Sequence, residues 1–116
     1  SMKNFGDTVR SLRTAQDLGL RETAAKVGIS PTYLSRIERG KESPPRPEVI
    51  KELARVLAAD PDVLYRLSSS TDPEVVDYLQ DQREVLNLLR YLRDACFTEE
   101  EITRLIEAAA EIKNTS

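Results

Sequence analysis

Apolar residues recur three and four positions apart along most of the chain, the spacing of an amphipathic helix, and the elements this predicts are all helical. Phe5, Val9, Leu12 and Ala15 mark a first helix over residues 4–17, facing a core. Leu18-Gly19 makes a turn with Gly19 as cap, and a second helix runs over 20–27. Gly28 can close it in the left-handed conformation at little steric cost. Ser30 is a good N-cap and Pro31 suits a first helical position, opening a third helix over 31–39. Its stripe is only Leu34 and Ile37, which leaves Thr32, Tyr33, Ser35, Arg36 and Arg39 pointing elsewhere, and Gly40 ends it. A loop stiffened by Pro44, Pro45 and Pro47 follows. Arg46 and Pro47 open a fourth helix with Ile50, Leu53, Ala54 and Leu57 on one face, and Asp60-Pro61-Asp62 caps a fifth with Leu64 and Leu67 inward.

Residues 68–72 are polar throughout and read as a linker. Beyond them Asp72 caps and Pro73 starts a helix expected to reach residue 95 or 96. Thr98 with Glu101 three residues later is a capping box that starts a last helix towards Lys113. Val75, Val76, Leu79, Val85, Leu86, Leu88, Leu89 and Leu92 exceed one narrow stripe, while Ile102, Leu105, Ile106, Ala109 and Ile112 form the stripe of the last helix. Two helices joined by a few residues predict an antiparallel hairpin over 73–113. Alone it would leave much apolar surface wet, so the first domain or another chain must cover it. Two hairpins forming a four-helix bundle is the economical solution. Val76, Leu79, Leu86, Leu89, Leu92, Ile102, Leu105, Ile106 and Ala109 would then hold a homodimer. Docking of the hairpin on its own domain is the alternative.

Charge sharpens this division. The net charge of −3 hides 11 Lys/Arg against 7 Asp/Glu in residues 1–55, and 6 against 13 in residues 56–116. The first half is basic and the second strongly acidic, an asymmetry that points the two halves at different surfaces. With 40% apolar and 32% charged residues in 116, the balance is that of one small globular domain with an appended element. There is no apolar run of about 18 residues and no signal peptide. Ser1-Met2 has the look of a cloning remnant before the natural start. A single cysteine cannot form an internal disulfide, which fits a reducing cytosol.

Catalytic chemistry finds no foothold. Histidine is absent, and only four glycines occur, none in a phosphate-cradling loop. Cys96 stands among apolar helix residues and reads as a small core or interface residue. Glu99, Glu100 and Glu101 sit at a helix start, where they favour the dipole rather than a metal. No cofactor or metal site is expected.

Two short helices joined by a glycine-containing turn, the second with small polar and Arg residues near its start, are the parts of a DNA-reading helix-turn-helix. The order and spacing of Leu12-Arg13, Glu22-Thr23-Ala24-Ala25-Lys26-Val27-Gly28-Ile29-Ser30, Tyr33-Leu34-Ser35-Arg36-Ile37-Glu38-Arg39-Gly40 and Leu53-Ala54-Arg55-Val56-Leu57 resemble the Xre, or λ-repressor-like, helix-turn-helix family. The resemblance covers residues 5–67 and implies an all-α, five-helix DNA-binding domain over 3–67. In that pattern Pro31, Thr32, Ser35 and Arg36 face bases in a major groove about 12 Å wide, with Arg36 the residue for bidentate contact with guanine. Arg21, Tyr33, Arg39, Lys41 and Arg46 would meet phosphate or sugar, and Arg13 would pair with Glu38 beneath the recognition helix. The chain departs from the family at Gly19, where Ser or Thr often caps, at Thr23, where Leu is common, and at Leu20, where many members carry a phosphate-bonding Gln. The layout with a helical tail resembles SinR-type regulators. The resemblance implies a sequence-specific transcriptional regulator on double-stranded DNA, a dimeric repressor reading an inverted repeat, cytoplasmic, DNA-associated and bacterial or phage-encoded. A protein-interaction module, such as an antitoxin or adaptor using the same helices on a protein partner, is the alternative.

Overall fold

The computed structural model describes residues 4–116; Ser1-Met2 and Lys3, where the first domain was expected to begin, lie outside the described residues. Eight helices follow one another: α1 Phe5–Ala15, α2 Leu20–Val27, α3 Pro31–Glu38, α4 Pro47–Val56, α5 Pro61–Ser68, α6 Pro73–Asp81, α7 Arg83–Asp94 and α8 Glu99–Asn114. No strand occurs among the described residues, and the fold is all-α.

Short polar side chains open five of these helices by accepting from amides that have no intrahelical partner. Asn4 Oδ1 accepts from Asp7 N–H at 2.8 Å, Ser30 Oγ from Tyr33 N–H at 3.0 Å, and Asp72 Oδ1 from Glu74 N–H at 2.9 Å. Thr98 and Glu101 cap each other reciprocally at the start of α8. The ends of α1 to α5 and α7 follow one rule as well. Asp17, Gly28, Gly40, Ala58, Ser69 and Cys96 all take positive φ, and the next amide returns to a carbonyl five residues back, as Leu18 N–H does to Arg13 O at 3.1 Å. Helix α1 therefore stops at Ala15 rather than 17, because Asp17 has already left the helix. Cys96 is correspondingly an exposed turn residue after α7 and not part of a core.

Contacts divide the chain into one compact unit ending at Asp77 and a second beginning at Tyr78. In the first unit the close helix pairs are α1/α3, α1/α5, α2/α3, α2/α4 and α4/α5. They enclose Phe5, Val9, Ala24, Leu34, Ile37, Ile50, Leu53, Ala54, Leu57, Leu64 and Tyr65. Gly6 is buried where α1 crosses the end of α3, and a β-carbon there would collide with the backbone carbonyls of Ile37 and Glu38. Two inward assignments fail. Ala15 is exposed in the last turn of α1. Leu67 is 38% exposed because the inward stripe of α5 runs through Leu64 and Tyr65, leaving Leu67 at its margin. The first turn of α6 is tied to α4 by Lys51 Nζ, 3.2 Å from Glu74 and 3.8 Å from Asp72. The hydrogen bond that Lys51 donates to Glu74 raises the Lys51 pKa above its ordinary value.

The expected helix from 73 to 95 is divided. Gln82 leaves helical geometry at φ −123° and ψ 88°, separating α6 from α7. Asp81 ends α6 with no basic residue in its last turn, which sets a negative charge on the negative end of the helix dipole. Glu84 in the first turn favours a fresh start for α7. In contrast with the first unit, α6, α7 and α8 contain no buried residue. Val85, Leu86, Leu92, Phe97 and Leu105 are half-covered, and the Tyr91 and Phe97 rings meet edge to face at 5.9 Å.

Candidate nucleic-acid interface

The interface is built from the turn outward. Gly28 at φ +88° ends α2 and allows two residues, Ile29 and Ser30, to carry the chain into α3. Ala24, fully buried, lets α2 and α3 approach closely. Leu34 and Ile37 bury the inner stripe of α3, so the opposite face, with Pro31, Thr32 and Arg36, is exposed.

Beneath α3 the Arg13 guanidinium holds Glu38 in both arms, Nε to Oε2 at 2.7 Å and Nη2 to Oε1 at 2.9 Å. Its remaining Nη1 donates to the Leu18 carbonyl at 2.8 Å. The side chains are 13% and 4% exposed. The hydrogen bond to Glu38 raises the Arg13 pKa beyond its already high value, against the opposing effect of burial. Each charge of this pair is thus matched within the fold. The pair anchors α1 and the α1–α2 turn to the end of α3.

Two adjoining hollows mark the outer face. One, of about 350 Å³, is lined by Leu20, Arg21, Pro31, Thr32, Ser35 and Arg39. The other is lined by Arg10, Arg13, Leu20, Ser35, Glu38 and Arg39. Pro31, Thr32 and Ser35 are thus brought together with Arg21 and Arg39. No ion pair occupies Arg10, Arg21 or Arg39 among the described residues, though Arg39 Nε donates to the Ser35 carbonyl at 3.4 Å. The positive charge of this face is therefore unmatched.

Arg36 does not line that hollow. Its Nε lies 3.1 Å from Glu42 Oε1 and its Nη2 donates to the Lys41 carbonyl at 3.3 Å. Tyr33 is half-buried against the core. Lys41 is exposed beyond Gly40, and Arg46 stands at the N-cap of α4 with Glu48 at 3.9 Å. Sequence reasoning missed two participants. Arg10 could have been found from its three-residue spacing to Arg13. Glu42 left only the weak signal of an acid just past the glycine that ends α3.

Known proteins share this arrangement. The sequence profile of the helix-turn-helix domain family matches residues 4–67. The chain belongs to that family. This helix-turn-helix domain is of the λ-repressor-like, or Xre, type. It is 45% identical over 56 residues to the uncharacterized HTH-type transcriptional regulator RghRB of Bacillus subtilis, covering 48% of this chain and 40% of that protein. To the HTH-type transcriptional repressor RghR of the same organism it is 41% identical over 56 residues, 48% of this chain and 42% of the other. The match thus spans less than half the length of either relative. Among solved structures, the P22 c2 repressor in complex with a synthetic operator superposes with a TM-score of 0.51 at 25% identity, covering 54% of this chain and 94% of that one. The family and these neighbours are transcription regulators rather than enzymes.

Proposed function

We propose that this chain is a sequence-specific DNA-binding transcriptional regulator, a repressor that acts as a homodimer on an inverted-repeat operator in a bacterial cytoplasm. The observation that carries this reading is the exposed face of α3, where Pro31, Thr32 and Ser35 adjoin Arg21 and Arg39 and no acid opposes them. Such a face suits a groove flanked by phosphates: the arginines hold register and the small side chains leave base edges within reach. Arg36 reads guanine, while Arg21, Tyr33, Arg39, Lys41 and Arg46 hold the backbone. The operator-bound P22 c2 repressor and the named repressor RghR support the same role.

Dimerisation through residues 73–113 completes it. One module makes few contacts, and a second makes half-site recognition a linked event without new base contacts. Exposed Val76, Leu89, Ile102, Ile106 and Ala109, with half-covered Leu79, Leu86, Leu92 and Leu105, support a second copy as the cover. Two recognition helices on one DNA face would lie about 34 Å apart.

Selection of bound duplexes from a random pool tests the reading. We expect an inverted repeat with centres about one helical turn apart, and affinity that falls steeply with salt as counterions are released. Arg36→Ala should lose about ten- to a hundredfold on the selected site and far less on scrambled DNA. Failure to enrich any sequence, with salt-insensitive capture of a protein instead, would favour the adaptor reading.

A further inference from the structure

Arg36 is held from beyond its own helix. Gly40 at φ +72° folds the chain back after α3. Gly40 N–H then donates to the Ile37 carbonyl at 3.1 Å and Lys41 N–H to the Arg36 carbonyl at 2.8 Å. That double return sets Lys41 and Glu42 beside the Arg36 side chain. Its Nη2 donates to the Lys41 carbonyl and its Nε to Glu42 Oε1, so Arg36 and Lys41 are bonded in both directions.

We propose that Glu42 is a positioning residue for base recognition, fixing the direction in which Arg36 presents its guanidinium. The inference rests on Arg36 being a base reader, as proposed above. A guanidinium has five N–H donors, arranged in two usable edges. The inner edge, Nε with one hydrogen of Nη2, is taken by Glu42 and Lys41. The outer edge, Nη1 with the other hydrogen of Nη2, is left free, and one such edge is what guanine O6 and N7 accept. Rotamer freedom is given up before DNA arrives rather than on binding, which favours the matched base. Glu42 also cancels the Arg36 charge, so Arg36 pulls less on phosphates of any sequence. The pair is 45% and 41% exposed, too wet to contribute much to the fold, and its effect is on aim.

The full-length chain is tested in wild-type form and as Arg36→Ala, Glu42→Ala and Glu42→Gln. One readout is the Arg36 Nε–H resonance in the free protein. The other is the ratio of affinities for a selected duplex and for the same duplex with each base pair changed in turn. Arg36→Ala should flatten the preference at one base pair. Glu42→Ala should reduce that same preference about three- to tenfold, part of what a good bidentate contact supplies. Glu42→Gln, whose amide oxygen still accepts from Nε, should keep it within about twofold. Both Glu42 variants should bind every duplex more tightly, since each removes a negative charge. The Nε–H signal should move towards that of a free arginine in Glu42→Ala. An unchanged preference in Glu42→Ala, or an Nε–H signal indifferent to it, overturns the positioning role while leaving Arg36 as the reader. A preference profile untouched by Arg36→Ala overturns the reader and Glu42's role together.

Discussion

The two units of this chain use similar apolar residues to different ends. In the first, five short helices surround one another, and Val9, Leu34, Ile50, Leu53, Leu57 and Leu64 are wholly removed from water. In the second, α7 and α8 carry as clear an apolar pattern and bury none of it. Tyr91, Ile106 and Ile112 are 63%, 64% and 67% exposed. The difference is one of enclosure. A single neighbour covers only one stripe of a helix, so helices with apolar residues beyond one stripe need partners on further sides. Hydrophobic pattern identifies the face that seeks cover. Whether the cover comes from the same chain depends on how many helices the chain supplies.

The largest effect that would break the contrast is in the first unit. Glu38→Ala strands the Arg13 guanidinium in a part-buried site where Glu38 took two of its three hydrogen bonds, and should cost about 3–5 kcal/mol. For a domain of this size each kcal/mol lowers Tm by about 4–8 °C. Thermal unfolding reads this directly, and a loss below about 1 kcal/mol would mean that the pair holds nothing. Leu89→Asp probes the second unit. Leu89 is exposed in the single chain, so the unfolding midpoint of the first unit should barely move. Self-association should weaken by about 1.5–3 kcal/mol, the value of one buried Leu, or more if the carboxylate is trapped. Sedimentation of both proteins decides it. A wild-type chain that stays monomeric at high micromolar concentration would remove the dimer and return the choice to docking on its own domain.

Legibility followed the same contrast. The boundaries of α2 to α5 could be read because Gly28, Ser30, Pro31, Gly40, Pro47 and Pro61 each act within a few residues of themselves. The break at Gln82 could not. It arises where Asp81 ends one helix unfavourably and nothing apolar carries the stripe across, a balance of small terms rather than a breaker residue. Asp17, Ala58, Ser69 and Cys96 were opaque for a related reason. Their positive φ is imposed by the returning amides of the helix end, not chosen by a glycine. Thr23 was legible as a departure from the family, but its consequence was not: the residue is fully buried and its Oγ1 meets no partner. At the interface, spacing along α3 set Leu34 and Ile37 inward and Thr32, Arg36 and Arg39 outward as the structure does, but it missed that Tyr33 packs against the core. It could not tell Arg39, which shares the hollow with Thr32 and Ser35, from Arg36, which a loop residue takes aside.

The smallest expected effect sharpens the comparison at the start of α8. The backbone hydrogen bond from Thr98, and then its side chain, hold the Glu101 carboxyl below the ordinary glutamate value of 4.5. A carboxyl whose pKa is lowered by folding stabilises the fold above its unfolded value and ceases to as the pH falls through the lowered one. Acidification below about 4.5 should therefore lower the protection of the amides in the first turn of α8, read as their exchange rate relative to unstructured chain at the same pH. Thr98→Ala should exchange faster already at neutral pH, while Glu101→Gln, which cannot ionise, should lose the acid response; a response retained in Glu101→Gln would assign the effect elsewhere.

Gly6 gives the first unit a lever. Helix α1 rests its bare backbone on the carbonyls of Ile37 and Glu38, at the C-terminal end of the helix whose other end carries Pro31 and Thr32. With eight residues at 1.5 Å each, α3 is about 12 Å long. A methyl group wedged under one end by about 1 Å would tip such a rod by roughly 5°, displacing Pro31 and Thr32 at its other end while leaving both residues unchanged. The aim of the recognition helix is thus set in part by the one residue of α1 that contributes no side chain.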